Sequence, residues 1–588
     1  MRKTGKKIFK AVASAVLALA LTVPAVACGG ADGGDDADKT VIQFMNFGGG
    51  IGDVWLEKAA DRFEALHAND SYEEGKTGVE IKISSSTNTN TKAMATSGYA
   101  IYTDESTIDV DTFASEGKLL DITDIVTELD ENGDSIESKI DEGYRGAVKY
   151  AGKYYALPHY SVFSGTAYDI DCFINNELYI AKPGAGEEFT AFGYTYNFTG
   201  NLDDASCGND GVYGTSDDGL PSSFTELLVL CAKMSDNNIV PFSIAGTHLD
   251  YSNYFCTALF ASLAGEEAMQ ANYSFNGEVE IVTGWSDENL LKNNDGLDLK
   301  LKKPITQKVA VTEKTGYHTT NQKAKYYAAA FIEIAQKSGW FTKNSENSNS
   351  NHNNAQDDFI FSGLRTGAQT KPKVGMLMEG SHWWNEIRNS GSFTNYCNLT
   401  KKTDRNVGWL TFPTLYEGSV KEGEGHKNVT VSMTKGCVTV INANIKSEGL
   451  IKASKDFVKF LYSDAELIAF TQETGVTRSA FDLEYKVDEP GYENLSRYEK
   501  TYLKSLDEKN LVKIMQYADN PTFRANTDRL ISYLSSSMWA TAYTGVIYHD
   551  YLEIYRMKSL AAENAQTIFE HGVKTQSAWE NSYYKGNE

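Results

Sequence analysis

The stretch from Thr40 to Ile83 constrains the fold more than any other part of the chain. Thr40-Val41-Ile42-Gln43-Phe44-Met45 reads as a strand. Gly48-Gly49-Gly50-Ile51-Gly52 follows as a turn. Asp53 then stands at an N-cap position, and Leu56, Ala59, Ala60 and Phe63 recur at helical spacing. Val79-Glu80-Ile81-Lys82-Ile83 alternates apolar and polar as a second strand. A strand, a helix and a strand in that order need a crossover, and such crossovers are right-handed onto a parallel sheet.

The alternation continues. Tyr154-Tyr155-Ala156-Leu157-Pro158 reads as a strand end, and Thr439-Val440-Ile441 as a strand. Ser223 with Glu226, and Ser463 with Glu466, are capping-box pairs ahead of apolar runs. Phe457, Phe460 and Leu461 mark another helix face. The chain is therefore α/β. Residues 343–358 are Asn- and Ser-rich with almost nothing apolar, so a surface loop is expected there. The glycine turn lacks GxGxxG spacing and a P-loop Lys, which removes a phosphate-cradle argument. Gly49 and Gly50 either let backbone approach a ligand or simply close a tight turn.

The N-terminus reads as a secretory leader. Arg2, Lys3, Lys6, Lys7 and Lys10 precede an apolar run, Ala11 to Val26, too short for an ordinary membrane span. The run ends Ala25-Val26-Ala27-Cys28-Gly29, which resembles the bacterial lipobox, with Ala25 where Leu is usual. On that resemblance residues 1–27 are expected to be a signal peptide and Cys28 the lipidated first residue of the mature protein; the alternative is an ordinary Ala-x-Ala cleavage site with an incidental Cys. Residues 28–39 are small, acidic and apolar-poor, as a flexible tether should be. Membrane association is then expected through the lipid alone, on the extracellular face of a bacterial, Gram-positive, cell membrane.

The chain has 55 basic and 79 acidic residues, a formal charge of -24. All five leader cations leave with the leader and no acid does, so 50 bases face 79 acids and the mature charge is -29. Such a chain repels nucleic acid and anionic lipid surfaces. After Cys28 come Cys172, Cys207, Cys231, Cys256, Cys397 and Cys437, with no CxxC and no companion His pattern, so no zinc site is indicated. Buried thiols and partial disulfides both remain open. Asn209, Asp210, Asp217 and Asp218 cluster oxygen donors among turn-making glycines. The spacing is not an EF-hand, which leaves a structural calcium loop or a plain acidic hairpin. No other cofactor is indicated. Thirty-four Tyr and an aromatic content of 12% supply flat apolar faces with polar edges.

Six segments, in order, resemble the extracellular solute-binding proteins of ATP-driven (ABC) importers, the group that includes maltose-binding protein. They are Glu116-Gly117-Lys118-Leu119-Leu120-Asp121-Ile122-Thr123, Tyr155-Ala156-Leu157-Pro158 with Tyr168-Asp169, Leu220 to Glu226, Val374 to Ser381, Val407 to Pro413, and Met538 to Ile547. Each is degenerate, and their shared order across most of 40–588 carries the likeness. It implies a type II periplasmic-binding-protein-like fold. Each of two lobes has a central mixed sheet flanked by helices, with a ligand cleft between them. Lobe 1 is expected at 40–158 plus 414–462, and lobe 2 at 159–413 plus 463–588. The chain is longer than is typical, with the excess mainly at 183–220, 275–320, 340–358 and 483–515.

The resemblance also implies an activity: capture of a carbohydrate, an oligosaccharide by preference, and its delivery to the membrane subunits of an importer by a monomer without catalytic residues. Trp539 falls on the family's stacking Trp. In Gly380-Ser381-His382-Trp383-Trp384 the family's aromatic slot holds His382, so Trp383 supplies the ring or the chemistry differs, and Trp384 is a further candidate. Tyr254 falls on a cleft Tyr. Asp104, Glu105 and Asp109 fall on a loop of polar contacts, and Tyr160 and Ser161 flank the first crossing between lobes. Competing readings are an extracellular glycoside hydrolase with paired carboxylates, the same fold binding a non-sugar solute, and a ligand-presenting partner of a sensor.

Overall fold

The computed structural model describes residues 38–105, 108–246, 249–415, 418–432, 437–478, 481, 485–514, 541–543, 546–548 and 564–581. Cys28, Trp539 and nearly all of the 28–39 tether lie outside them.

Two α/β bodies, each with its own sheet, make up the described residues. The first sheet runs in the order Val79–Ser86, Thr40–Phe47, Ile101–Glu105, Cys437–Ile441, Leu157–Pro158. Its first three strands are parallel, and the helix Val54–Leu66 joins Thr40–Phe47 to Val79–Ser86 as the opening pattern requires. The last two are antiparallel to their neighbours, so the sheet is mixed. The helix buries Trp55, Leu56, Ala59, Ala60 and Phe63 on one face. Phe63 is fully buried and meets Phe457 and Phe460 of the helix Glu448–Leu461. Truncating such a ring costs about 3–5 kcal/mol. Asp53 stands at the N-cap but does not cap with its side chain; its carboxylate accepts from Asn46 Nδ2 at 2.6 Å.

The second sheet has the order Ile239–Ser243, Lys373–Gly380, Ser164–Asp169, Val407–Leu410 and is also mixed. Both of its faces are covered. Met376 and Met378 enter one core, with the helices Phe224–Asp236 and Lys323–Lys337. Val374 and Leu377 enter another, closed by Tyr498 and Tyr502 of the helix Arg497–Asp507. That double burial explains why Val374-Gly375-Met376-Leu377-Met378 is continuously apolar rather than alternating. Much of the excess length lies here, as the strand pair Glu187–Ala191 with Tyr194–Thr199 and the long pair Gly277–Asn289 with Lys302–Val311.

Among the described residues the chain passes between the bodies three times. It leaves the first after Leu157–Pro158. It returns between Asn428–Val431 and Cys437–Ile441, and leaves again beyond Phe481. The passages differ from the expected boundaries at both ends. Val429 and Val431, inside the segment 414–462, pack in the second body. Leu467 and Phe470, beyond it, pack in the first. Helix Asp464–Thr474 stays with the first body because Phe470 meets Trp55 edge-on at 5.1 Å and Glu466 takes a two-pronged ion pair from Arg62, both bonds 2.7 Å. The passages are laced together by bridges between Tyr160 and Arg478 and between Phe163 and Ser432.

Each predicted capping box forms by half. Ser223 and Ser463 accept from the N–H groups of Glu226 and Glu466. The glutamates turn elsewhere, Glu226 to Ser222 and Glu466 to Arg62. The Asn-rich stretch is not all loop. Asn351 and Asn354 cap each other reciprocally and start the helix His352–Ile360, which buries Ala355, Phe359 and Ile360. The six cysteines after Cys28 are thiols, and Cys207, Cys231, Cys256 and Cys437 are buried. No described helix is long and apolar enough to cross a membrane.

Candidate binding site between the two bodies

The first body brings three elements to the junction: the glycine turn after Thr40–Phe47, the end of Ile101–Glu105, and the first passage at Tyr160. The turn is pinned from below. Phe47 N–H donates to Thr103 Oγ1 (2.9 Å), Thr103 donates to Asn46 Oδ1 (2.6 Å), and Asn46 Nδ2 holds Asp53. Gly50 adopts φ +65°, in the left-handed region that favours glycine. A Cβ there would stand 2.9 Å from His382 Cδ2, across the junction, and 3.6 Å from the Tyr160 hydroxyl. Gly49 offers its carbonyl, 3.5 Å from that same hydroxyl.

The second body answers with the turn at Ser381-His382, which follows Lys373–Gly380 and opens the helix Trp383–Arg388. Ser381 is fixed to the first passage: its N–H donates to Phe163 O at 3.0 Å, and its Oγ accepts from Phe163 N–H at 3.2 Å. His382 Nε2 stands 3.6 Å from Glu386 Oε2, one helical turn on. His382 Nδ1 is buried with no hydrogen-bond partner among the described residues.

The electrostatics separate the carboxyls. Burial pushes Glu105 up; nearby His382 opposes the shift and Asp104 adds to it. Glu386 is held below its usual range, first by its hydrogen bond to His382 and against its own burial. Glu379, fully buried at the end of its strand, is driven well above the carboxylate range, and its Oε2 has no partner among the described residues. Burial also drives the Tyr160 phenol well up, with Cys437 and Glu105 adding to it. The junction thus presents carboxyl groups, a phenol and a histidine ring, all of them hydrogen-bonding groups.

Behind it, Arg478 is almost wholly buried, its guanidinium over the rings of Phe470 (4.0 Å), Trp55 (4.8 Å) and Tyr462 (5.0 Å). Its Nη1 contacts His159 Nδ1, while Nε and Nη2 are without partners among the described residues. Burial lowers Arg478 to about 10 and, with the charge of Arg478 adding, drives His159 well below the imidazole range.

Gly49, Gly50, Glu105, Tyr160 and His382 are therefore brought together, with Asp104 buried beside Glu105 and hydrogen-bonded to Thr89 Oγ1 at 3.3 Å. Ser161 is buried next to Tyr160. Trp383 and Trp384 do not offer ring faces here. Trp383 is fully buried among Phe359, Trp384 and Tyr498, and Trp384 packs on Phe393, because the short helix turns both indoles into the core. Tyr254 is half-buried on the second core, with its ring 5.9 Å from that of Tyr251. Asp109 is spent as the cap of the helix Val110–Ser115, accepting from Thr112 N–H at 2.7 Å. Glu386 was not among the expected residues; its position four after His382 on a helix is the signal that marks it.

The acidic loop closes on itself. Asp217 Oδ2 accepts from the N–H groups of Asn209 (2.8 Å) and Asp210 (3.1 Å), and its Oδ1 from Thr215 Oγ1 (2.9 Å). Asp218 accepts from Gly214 N–H and Asp210 from Val212 N–H. Asn209 ties the loop to His426 O and Thr414. Among the described residues, no three or more carboxylate, His or Cys side chains are grouped to hold a metal ion.

The sequence matches no protein-family model and no curated protein. Solved structures do align with most of its length. RafE from Streptococcus pneumoniae in its apo form is 13% identical, covering 93% of this chain and 98% of its own, at a TM-score of 0.48. The GacH receptor of Streptomyces glaucescens is 14% identical, covering 93% and 99%, at 0.49. A mannobiose-bound ABC-transporter binding protein from Bifidobacterium animalis subsp. lactis is 13% identical, covering 92% and 95%, at 0.48. Likenesses of this size leave the reading of the chain to its own residues.

Proposed function

We propose that the chain is an extracellular, lipid-anchored solute-binding protein that closes its two bodies around a carbohydrate and presents it to an ABC importer. One observation carries the reading. Two separately cored α/β bodies, joined by three passages among the described residues, meet where Gly50, Glu105 and Tyr160 face His382. A polyhydroxylated ligand needs hydrogen-bond donors and acceptors on both walls, and carboxyl groups, a phenol and a histidine ring supply them. His382 Nδ1 and Glu379 Oε2, without partners among the described residues, are atoms for which bound hydroxyls would be natural partners. A ligand touching both bodies stabilises the closed arrangement by the difference in its affinity for the two states, with no covalent step. Trp539 is assigned the stacking role, and Cys28 the lipid anchor.

The test is a thermal-shift screen of mono- and oligosaccharides on the chain without residues 1–27. A sugar at a hundredfold excess over its Kd stabilises by about 2.7 kcal/mol. The shift should shrink in Glu105→Gln and disappear in Trp539→Ala. A panel that leaves every variant and the parent unmoved removes carbohydrate as the ligand. For the anchor, Cys28→Ala should release the protein from cells into the medium, and retention on the cell surface counts against lipidation.

A further inference from the structure

A cavity of about 590 Å³ lies in the second body, lined by none of the junction residues. It falls within the range of ligand sites, about 300–1,000 Å³. Its walls come from the two inserted strand pairs and from the first turns of the helices Phe224–Asp236 and Lys323–Lys337. They are held firmly. The rings of Phe224 and Tyr327 meet edge-on at 5.2 Å, and the Tyr196 hydroxyl is 2.6 Å from Thr225 Oγ1. Asn293 N–H donates to Phe192 O at 3.1 Å, tying one insert to the other.

The described lining differs in charge from the chain. Where the whole sequence has 79 acids to 55 bases, the described lining residues include Lys292, Lys303 and Lys323 with one carboxylate, Glu288. Lys303 pairs with Glu288 and Lys323 with Glu280, both at 3.3 Å. Such solvent-facing pairs are weak and open to exchange. Lys292 has no described carboxylate within ion-pair distance; its Nζ lies 4.5 Å over the ring of Tyr194. Aromatic faces beside ammonium groups match a ligand that has C–H faces and a carboxylate together.

We infer that this cavity is a second ligand site, separate from the junction, that binds an acidic saccharide of the uronate class. Tyr194, Tyr196 and Tyr327 flank the sugar rings, and Lys292, with Lys323, receives the carboxylate. A neutral sugar of the same shape would leave the lysines without their anion and should bind far more weakly.

The experiment is calorimetric titration of the mature chain with digalacturonate, with digalactose as the neutral control. Digalacturonate should bind, and the Lys292→Gln/Lys323→Gln double variant should lose at least tenfold in affinity. Both lysines reach the surface, so the variant keeps its fold, checked by an unchanged melting temperature. His382→Ala should leave this binding as it was. The inference is overturned by no digalacturonate binding at millimolar concentration, by digalactose binding as tightly, or by full affinity in the lysine variant. Loss in His382→Ala also overturns it, since the saccharide would then occupy the junction.

Discussion

Gly50 and His382, 332 positions apart in sequence, are packed so closely that a Cβ on the glycine would stand 2.9 Å from the imidazole Cδ2. The contact joins the two bodies with no side chain from the first. Gly50→Ala should therefore act in two ways. The left-handed backbone costs a non-glycine residue about 1–2 kcal/mol, and the methyl group forces His382 away. Gly52 shares the backbone geometry, φ +68°, but has nothing within 4 Å of its would-be Cβ. Both variants should melt lower, and Gly50→Ala alone should weaken sugar binding, by tenfold or more. Equal affinities in the two variants would show that the contact has no part in closure.

The passage between the bodies should be sensitive to acid through His159. Burial and the charge of Arg478 keep this imidazole well below its ordinary value. The unfolded chain takes up the proton near pH 6.5, and the folded one resists it. The stability this histidine contributes is thus present above pH 6.5 and lost as pH falls, at about 1.4 kcal/mol per unit. Gln at 159 keeps an acceptor for Arg478 without a titrating ring. Melting curves between pH 7 and 5 should fall less steeply for His159→Gln than for the parent. Parallel curves would count against a neutral, buried His159.

Arg478 itself permits a different comparison. It lies on three aromatic rings with two of its nitrogens unpartnered among the described residues. Among the described residues no carboxylate forms an ion pair with it, although the charge of Glu466 favours it from nearby, and a buried charge held that way is expensive. Arg478→Met preserves most of the contact with Trp55, Phe470 and Tyr462 and removes the charge, so its melting temperature should match or exceed the parent's. Arg478→Ala opens a cavity among those rings and should cost about 2–4 kcal/mol. If Met and Ala are equally damaging, the guanidinium is needed for more than its packing.

The β-α-β opening was legible because local pattern and tertiary demand agree there. The apolar face from Leu56 to Phe63 is the face that is buried, and each predicted strand pairs as expected. What failed to be legible depended on partners far away in sequence. Nothing near Glu466 announces Arg62, whose ion pair keeps helix Asp464–Thr474 with the first body and displaces the expected boundary. Nothing near Trp383 announces Tyr498, which together with Phe359 encloses the indole. The site divides in the same way. Glycines at a turn and a carboxylate at a strand end could be read from their surroundings, whereas an indole's direction depends on which way a six-residue helix faces. In the Asn-rich stretch, composition misled because Asn351 and Asn354 act as caps rather than as loop residues.

Asp217 gives the acidic loop a measurable signature. It is buried, and its pKa is raised to about 7, first by burial and then by Asp210, while the hydrogen bonds from Thr215, Asp210 and Asn209 pull the other way. The unfolded chain loses this proton near pH 4, and the folded one keeps it until about 7. Stability from this group is therefore complete below pH 4 and is lost as pH rises through 7. Asp217→Asn has no proton to lose, so its melting temperature should decline less between pH 5 and 8 than the parent's. Calcium separates the two readings of the loop. A bound ion favours the ionised carboxylate and should restore the parent's melting temperature at pH 8 while leaving Asp217→Asn unmoved. A plain hairpin, whose Asp217 oxygens are already occupied by N–H and hydroxyl donors, should melt at one temperature with or without the ion.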